Sequence, residues 1–266
     1  MSYFSRLAKT EVAIVVLLKF DEYHDELGRF ASGPSAASPK FTLTQVSEKK
    51  GSNPGGIYAD ALGNKSYVKF YKDPNQGRTE ALASSIFEML GARTPGPKVA
   101  EVNGQEALIT PWNDQLEQVG KAGLTNLNEK QRAQVAKMYA GAVLTKNWDV
   151  VGAEHDNIVR DKTNGDMVEV DTGGSFKYRA QGQPKPYGGD IGEWDSMRDT
   201  KQPAGQVFGK LFNDDPQAEK VALNAVKSLD MKAVRSKFRA SGLPDQAELF
   251  SAFKQRRDLL LKKGGF

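Results

Sequence analysis

The apolar pattern of this sequence changes its period along the chain. Residues 41 to 102 alternate mostly as strands do, with one helical stretch in which Leu82, Ala83, Ile86, Phe87 and Leu90 recur at helical spacing and Gly91 stands at a C-terminal cap position. A tight turn at Asn103-Gly104 joins two short strands, the second ending in Ala107-Leu-Ile-Thr-Pro-Trp112. Helical spacing then takes over. Asn126 with Glu129 forms a capping box, and Val135, Met138, Tyr139, Ala142 and Val143 supply a buried stripe. Asn147-Trp148-Asp149 interrupts that stripe, and a second hairpin, 157–160 with 167–171 about Asn164-Gly165, stands at the front of the helical part. Residues 177–206 form a long loop rich in Gly, Pro and Gln, and 206–263 read as three helices with breaks near Asp230 and at Ser241-Gly242-Leu243-Pro244. Strands first and helices later, with no internal repeat, predict an α+β protein of two lobes.

Composition narrows the chemistry. At about 100–200 residues per domain, 266 residues make one large domain or two small ones. Lys+Arg 37 against Asp+Glu 33 leaves +4, spread along the chain, which is too mild to argue for nucleic acid. Cys 0 removes disulfides, thiolate nucleophiles and cysteine zinc sites, and His 2 removes a histidine cage, so a metal here sits on carboxylates. The longest apolar run, Val12-Ala-Ile-Val-Val-Leu-Leu18, falls short of the roughly 20 residues that span a bilayer and lacks a signal-peptide cleavage site. The expectation is a soluble cytoplasmic chain without membrane contact. Residues 1–40 form a tail: the apolar run, then a Gly33-Pro-Ser-Ala-Ala-Ser-Pro39 linker. An apolar strand of this kind pairs with its own sheet or with a partner's.

Three sets of residues could carry chemistry. Gly51-Ser52-Asn-Pro-Gly55-Gly56 lies between strand-like segments, where glycines let backbone amides approach a polyphosphate; the plain alternative is a surface turn. It is not a Walker loop, and Gly63-Asn-Lys-Ser lacks the required adjacency. Lys69 lies on a strand whose alternation puts Tyr67, Lys69 and Tyr71 on one face and Val68 and Phe70 on the other. Glu80, on the following helix, shares a face with part of its buried stripe, and a carboxylate at a core boundary wants a cation. Finally, Asp149 after a helix, Asp156-Asn157 opening a hairpin and Asp171-Thr172-Gly173-Gly174 closing it bring oxygen ligands to one end of one small sheet. Such a set suits Mg²⁺, which takes few carboxylates together with phosphate oxygens and water. Each of these residues singly also reads as a turn former.

Taken in order, these residues resemble the protein-kinase-like fold, in its atypical branches related to lipid kinases and HipA-type kinases, over about residues 41–263. Gly-Gly-Ile-Tyr-x-Asp-x-x-Gly, Tyr-Val-Lys, Asn-Trp-Asp-Val-Val-Gly, Asp-Asn-Ile and Asp-Thr-Gly-Gly are similar to compact kinase-like domains of tailed-phage structural and polyvalent proteins. His24-Asp-Glu-Leu-Gly-Arg-Phe-Ala-Ser32 is similar to a segment at domain junctions of phage head and portal-associated proteins. The resemblance implies a tail (1–40), a β-rich N-lobe (41–112) and a helical C-lobe (113–266). It implies an ATP- and Mg²⁺-dependent phosphotransferase, particle-associated through its tail and found in the host-cell cytoplasm or the virion, acting on an acceptor it does not identify. By the same resemblance Gly51, Ser52, Gly55 and Gly56 cover the ATP phosphates, and Lys69 contacts them and pairs with Glu80. Thr110-Pro-Trp112 lies at the hinge beside the adenine, Asp149 orients the acceptor hydroxyl, and Asn157 and Asp171 hold Mg²⁺.

The sequence departs from the typical kinase pattern. Asn157 follows Asp149 by eight residues, a longer spacing, so that Asp156 could share its role; Val150 replaces the usual Arg, and Thr172 the usual Phe. These changes leave phosphorylation-dependent activation without its Arg. A non-catalytic virion protein on the same scaffold is the alternative function. A remoter one is an aspartic protease using Asp171-Thr172-Gly173, which with one copy of the signature would have to dimerise.

Overall fold

The computed structural model describes residues 38–48 and 53–266; the apolar run 12–18, the segment 24–32, Gly51 and Ser52 lie outside the described residues. Strands β1 (Lys40–Phe41), β2 (Thr44–Ser47), β3 (Gly55–Ala59), β4 (Lys65–Lys69), β5 (Lys98–Val102) and β6 (Gln105–Pro111) form one sheet in the order β1-β5-β6-β4-β3-β2. Neighbours are antiparallel except β1, which runs parallel to β5. The alternation expected of β4 sorts its side chains: Val68 is fully buried against Leu43, Ala100, Val102, Ala107 and Ile109, while Lys69 reaches helix α1 (Pro74–Met89).

Helix α1 starts where Asp73 accepts from the Asn75 amide at 3.0 Å with Pro74 in the first turn, and it stops at Leu90, followed by left-handed Gly91 (φ 75°). Its apolar face does not join the sheet's small core. Leu82, Ala83, Ile86 and Phe87 belong to the larger core built on α3 (Glu129–Thr145), with Val135, Met138, Tyr139 and Val143. Gly141 permits this approach, because a Cβ there would stand 3.0 Å from the Phe87 ring.

The second sheet, β7 (Leu116–Gln118), β8 (Ile158–Asp161) and β9 (Met167–Glu169), contains the hairpin turning at Asn164-Gly165, with β7 as an added edge strand. Short α2 (Gly120–Leu124) precedes α3, and α4 (Glu193–Ser196), α5 (Pro203–Asp214), α6 (Pro216–Lys227), α7 (Met231–Ala240) and α8 (Gln246–Lys263) follow the hairpin, making eight helices among the described residues. This is the α+β, two-lobe plan.

Three details differ from expectation. The capping box of α3 is Asn128 with Gln131, not Asn126 with Glu129: Asn128 Oδ1 accepts from the Gln131 amide at 3.0 Å, and Gln131 Oε1 from the Asn128 amide at 3.1 Å. The C-terminal stretch holds four helices rather than three, since Asp215 both ends α5 and caps α6, with Pro216 opening the new helix. The long loop 177–206 is shortened by α4 and by the start of α5. Among the described residues no helix is long and apolar enough to cross a membrane.

Candidate active site

Lys69 ends β4, and its register partner across β3 is Gly55. Both Gly55 and Gly56 adopt positive φ (143° and 152°), and a Cβ would stand 1.9 Å from the Val68 carbonyl oxygen at the first and 2.4 Å from that of Ser47 at the second. The strand crossing therefore requires glycine at both positions, independently of any ligand. A 2.8 Å bond from the Phe70 amide to the Pro54 carbonyl holds the same turn against β4.

The Lys69 ammonium bridges two carboxylates, Glu80 Oε1 at 2.8 Å and Asp171 Oδ2 at 3.3 Å. Burial opposes its charge, but the carboxylates of Asp171 and Glu80 outweigh that and hold its pKa well above the ordinary lysine value. Glu80 is 2% exposed, and its second oxygen accepts from the Tyr71 hydroxyl. Thr172 Oγ1 donates to the Glu80 backbone carbonyl at 2.9 Å, so α1 is tied to the loop after β9 at the position of the paired carboxylate.

Asp171 itself is shaped by its own loop: Oδ1 accepts from the Gly173 amide at 2.9 Å, and a Cβ at Gly173 would lie 3.0 Å from both Asp171 Oδ1 and Glu80 Oε2. Its amide donates to Glu169 Oε1 at 3.3 Å. Glu169 is fully buried, and its Oε2 has no hydrogen-bond partner. Burial, then Asp171 nearby, pushes its carboxyl well above the usual range and favours the protonated form.

Asp149 follows α3, whose last residue is succeeded by left-handed Lys146 (φ 58°). Fully buried Asn147 fixes the turn by accepting from the Asp149 amide at 3.1 Å. The eight residues to Asn157 are absorbed in consecutive turns, Gly152 amide to Asp149 carbonyl (2.9 Å), His155 amide to Gly152 carbonyl (3.2 Å) and Asn157 amide to Val151 carbonyl (3.2 Å), with Gly152 and His155 at positive φ. Asn157 Nδ2 thereby returns to donate to the Asp149 carbonyl at 2.7 Å. Burial, then the negative charges of Asp171 and Asp156, push the Asp149 carboxyl up to about 6, against the opposing hydrogen bond of Asn157.

The fold thus gathers Lys69, Glu80 and Asp171 in direct contact, and brings Asp149 and Asn157 to the same carboxylate-rich region. Trp112 lies at the end of β6 with its ring centroid 6.5 Å from that of Tyr67 and its indole N–H on Asp114 Oδ1 at 2.6 Å. A Mg²⁺ ion fits the donor set: Asn157 spends its amide nitrogen on Asp149 and keeps a carbonyl oxygen, Asp171 adds a carboxylate, and the like charges of Asp149 and Asp171 lack a full counterweight. Among the described residues no group of three or more His, Cys, Asp or Glu side chains is placed to hold a metal ion by itself. Sequence reasoning missed Tyr71, Asn147, Glu169 and Thr172. Tyr71 was readable as sharing the Lys69 face, and Asn147 and Thr172 stood inside the quoted motifs without a role of their own.

No protein-family model and no curated protein matches the sequence. Solved structures do. The proinflammatory kinase CtkA of Helicobacter pylori aligns over 85% of this chain and 98% of its own with a TM-score of 0.56 at 12% identity. Weaker likenesses are the toxin–antitoxin complex of HipA, HipB and operator DNA from Shewanella oneidensis (TM-score 0.36, 12% identity, 94% of this chain and 70% of the other) and the MAP kinase LmaMPK10 from Leishmania major (TM-score 0.27, 12% identity, 83% and 82%). On the first of these, the chain has a protein-kinase-like two-lobe fold.

Proposed function

We propose that this protein is an ATP- and Mg²⁺-dependent phosphotransferase. The observation that carries the reading is the Lys69 ammonium held between the carboxylates of Glu80 and Asp171. Phosphoryl transfer asks little covalent chemistry of a protein and depends on positioning and charge. Lys69, oriented by Glu80, receives the α- and β-phosphates, Gly55 and Gly56 together with Gly51 and Ser52 are assigned to cover them, and Trp112 flanks the adenine. Asn157 and Asp171 hold Mg²⁺, which when bound offsets the charge on the phosphates. Asp149 orients the acceptor hydroxyl and takes its proton as the oxygen bonds to the γ-phosphorus and the bond to the β–γ bridging oxygen breaks, leaving ADP. A carboxyl pushed up to about 6 is still ionised at neutral pH and is a better base than an ordinary aspartate.

The lobes of this reading are 41–112 and 113–266, and the tail 1–40 docks on a phage structural protein, which the likeness of segment 24–32 to phage head proteins supports. The protease alternative gains nothing from the geometry, since Asp171 meets a lysine ammonium. Thermal melting with ATP and Mg²⁺ tests the reading. Saturating nucleotide raises the midpoint by several degrees, and turnover of the bound ATP separates an enzyme from a non-catalytic relative. No shift at millimolar ATP contradicts the proposal.

A further inference from the structure

One side chain outside the residues already placed touches both loops of the site. Lys185 lies in the segment between Gly174 and α4, which doubles back on itself, Arg179 amide to Gln183 carbonyl at 2.7 Å and Lys185 amide to Lys177 carbonyl at 2.8 Å. The fold-back delivers the Lys185 ammonium to two backbone carbonyls, that of Gly174 at 2.5 Å and that of Lys146. Lys146 caps α3 immediately before Asn147-Trp148-Asp149, and Gly174 ends Asp171-Thr172-Gly173-Gly174. The two loops are in contact there: a Cβ on Gly174 would stand 2.6 Å from Asn147 Oδ1 and 3.4 Å from the Asp149 Cβ. Carbonyls at a helix end lack an intrahelical donor, and an ammonium carries three N–H groups. One cation therefore serves an acceptor on each loop.

Resting on the phosphotransferase reading, we propose that Lys185 is a positioning residue whose ammonium pins the Asp149 loop to the Asp171 loop, so that loss of its charge uncouples them and stops phosphoryl transfer.

The charges around Lys185 bear on when that loss occurs. Glu193 of α4 favours the ammonium, as does Asp149, which feels its charge; Lys146 at the end of α3, Arg179 on its own segment and Arg256 of α8 disfavour it. Half-buried among them, Lys185 is lowered to about 7, first by burial and then by the three cations acting against Glu193. Below that pH the ammonium makes charge-assisted bonds to both carbonyls; above it a neutral amine makes bonds roughly half as strong. The clamp is thus intact in mild acid and weakens as pH rises through about 7.

Hydrogen exchange and turnover of the full chain, measured together on the parent, Lys185→Met and Lys185→Arg, test this. Lys185→Met should speed exchange of residues 146–149 and of 171–174 together, by about tenfold, with α5 to α8 unchanged. Its turnover should fall about 100-fold while its affinity for Mg·ATP stays within about threefold. Lys185→Arg keeps its charge at all these pH values, so it should restore both loops and carry activity on past about pH 8, where the parent declines. Parent-like exchange in Lys185→Met, loosening of one loop alone, or an alkaline decline unchanged in Lys185→Arg would each overturn the clamp. A parent without Mg²⁺-dependent turnover overturns the phosphotransferase reading and the gating with it, while the exchange data still decide the pinning.

Discussion

Glu80 is a carboxylate with almost no water, and it is tolerable only because Lys69 and Tyr71 satisfy both of its oxygens. Removing Lys69 leaves buried Glu80 with the Tyr71 hydroxyl alone, and removing Glu80 leaves Lys69 with Asp171 alone. Lys69→Ala and Glu80→Ala should consequently be non-additive, with a coupling energy of about 0.5–3 kcal/mol in a denaturant double-mutant cycle; additive losses would remove the pair from the account. Asp149 is a second carboxylate whose surroundings disfavour its charge, as burial also does for Glu80 despite Lys69. Because the folded state holds this proton more tightly than the unfolded chain, its ionisation costs stability as pH rises from the ordinary aspartate range through about 6. Solvent screening of a half-buried group reduces that cost to about 1 kcal/mol. Asp149→Asn should then abolish transfer yet raise the melting midpoint of the metal-free protein at neutral pH by about 2–4 °C, with the gain gone near pH 4. A variant no more stable than the parent at pH 7 would contradict the electrostatic picture of this loop.

At the scale of elements, what could be read from the sequence was what is decided locally. The Asn164-Gly165 turn is held largely by its own residues, with Gly165 at positive φ, Asp161 Oδ1 accepting from the Thr163 amide and Asn164 Oδ1 from the Asp166 amide, each at 2.9 Å, and the Lys69 face follows from strand alternation. Asn126–Glu129 and Asn128–Gln131 both satisfy the capping-box pattern; the bond from the Asn126 amide to the Gly123 carbonyl at 3.3 Å commits the first to closing α2, a choice invisible in the pattern. The break at Asp215-Pro216 carries its own local signal, a capping aspartate before a proline that cannot continue a helix, although apolar spacing runs on across it. Asp215 accepts from the Gln217 amide at 3.0 Å and pairs with Arg132 of α3 at 2.9 Å. Asp215→Ala should therefore cost about 1 kcal/mol in urea unfolding and leave nucleotide binding unchanged; an unchanged midpoint would show the cap to be redundant. Glu169 was hidden for a different reason. The sequence shows a carboxylate on a strand, and only the packing of the fold, with α3 against β9, makes the group buried and short of a partner.

For the whole molecule, the proposal separates a nucleotide-binding body from a docking tail. Deleting residues 1–37 should leave a folded protein that still binds nucleotide but no longer enters its particle. A truncated chain that assembles normally refutes the docking role, and one that melts many degrees lower makes the apolar run part of the core instead. The body's central claim is that Asp171, with Lys69, holds a metal-bound nucleotide. Calorimetric titration of ATP into the parent and into Asp171→Asn, with and without Mg²⁺, addresses it most directly. The account predicts Mg²⁺-dependent binding to the parent and none to Asp171→Asn, with the variant still melting cooperatively. Equal binding by both proteins, or no binding by the parent at millimolar ATP, would contradict it.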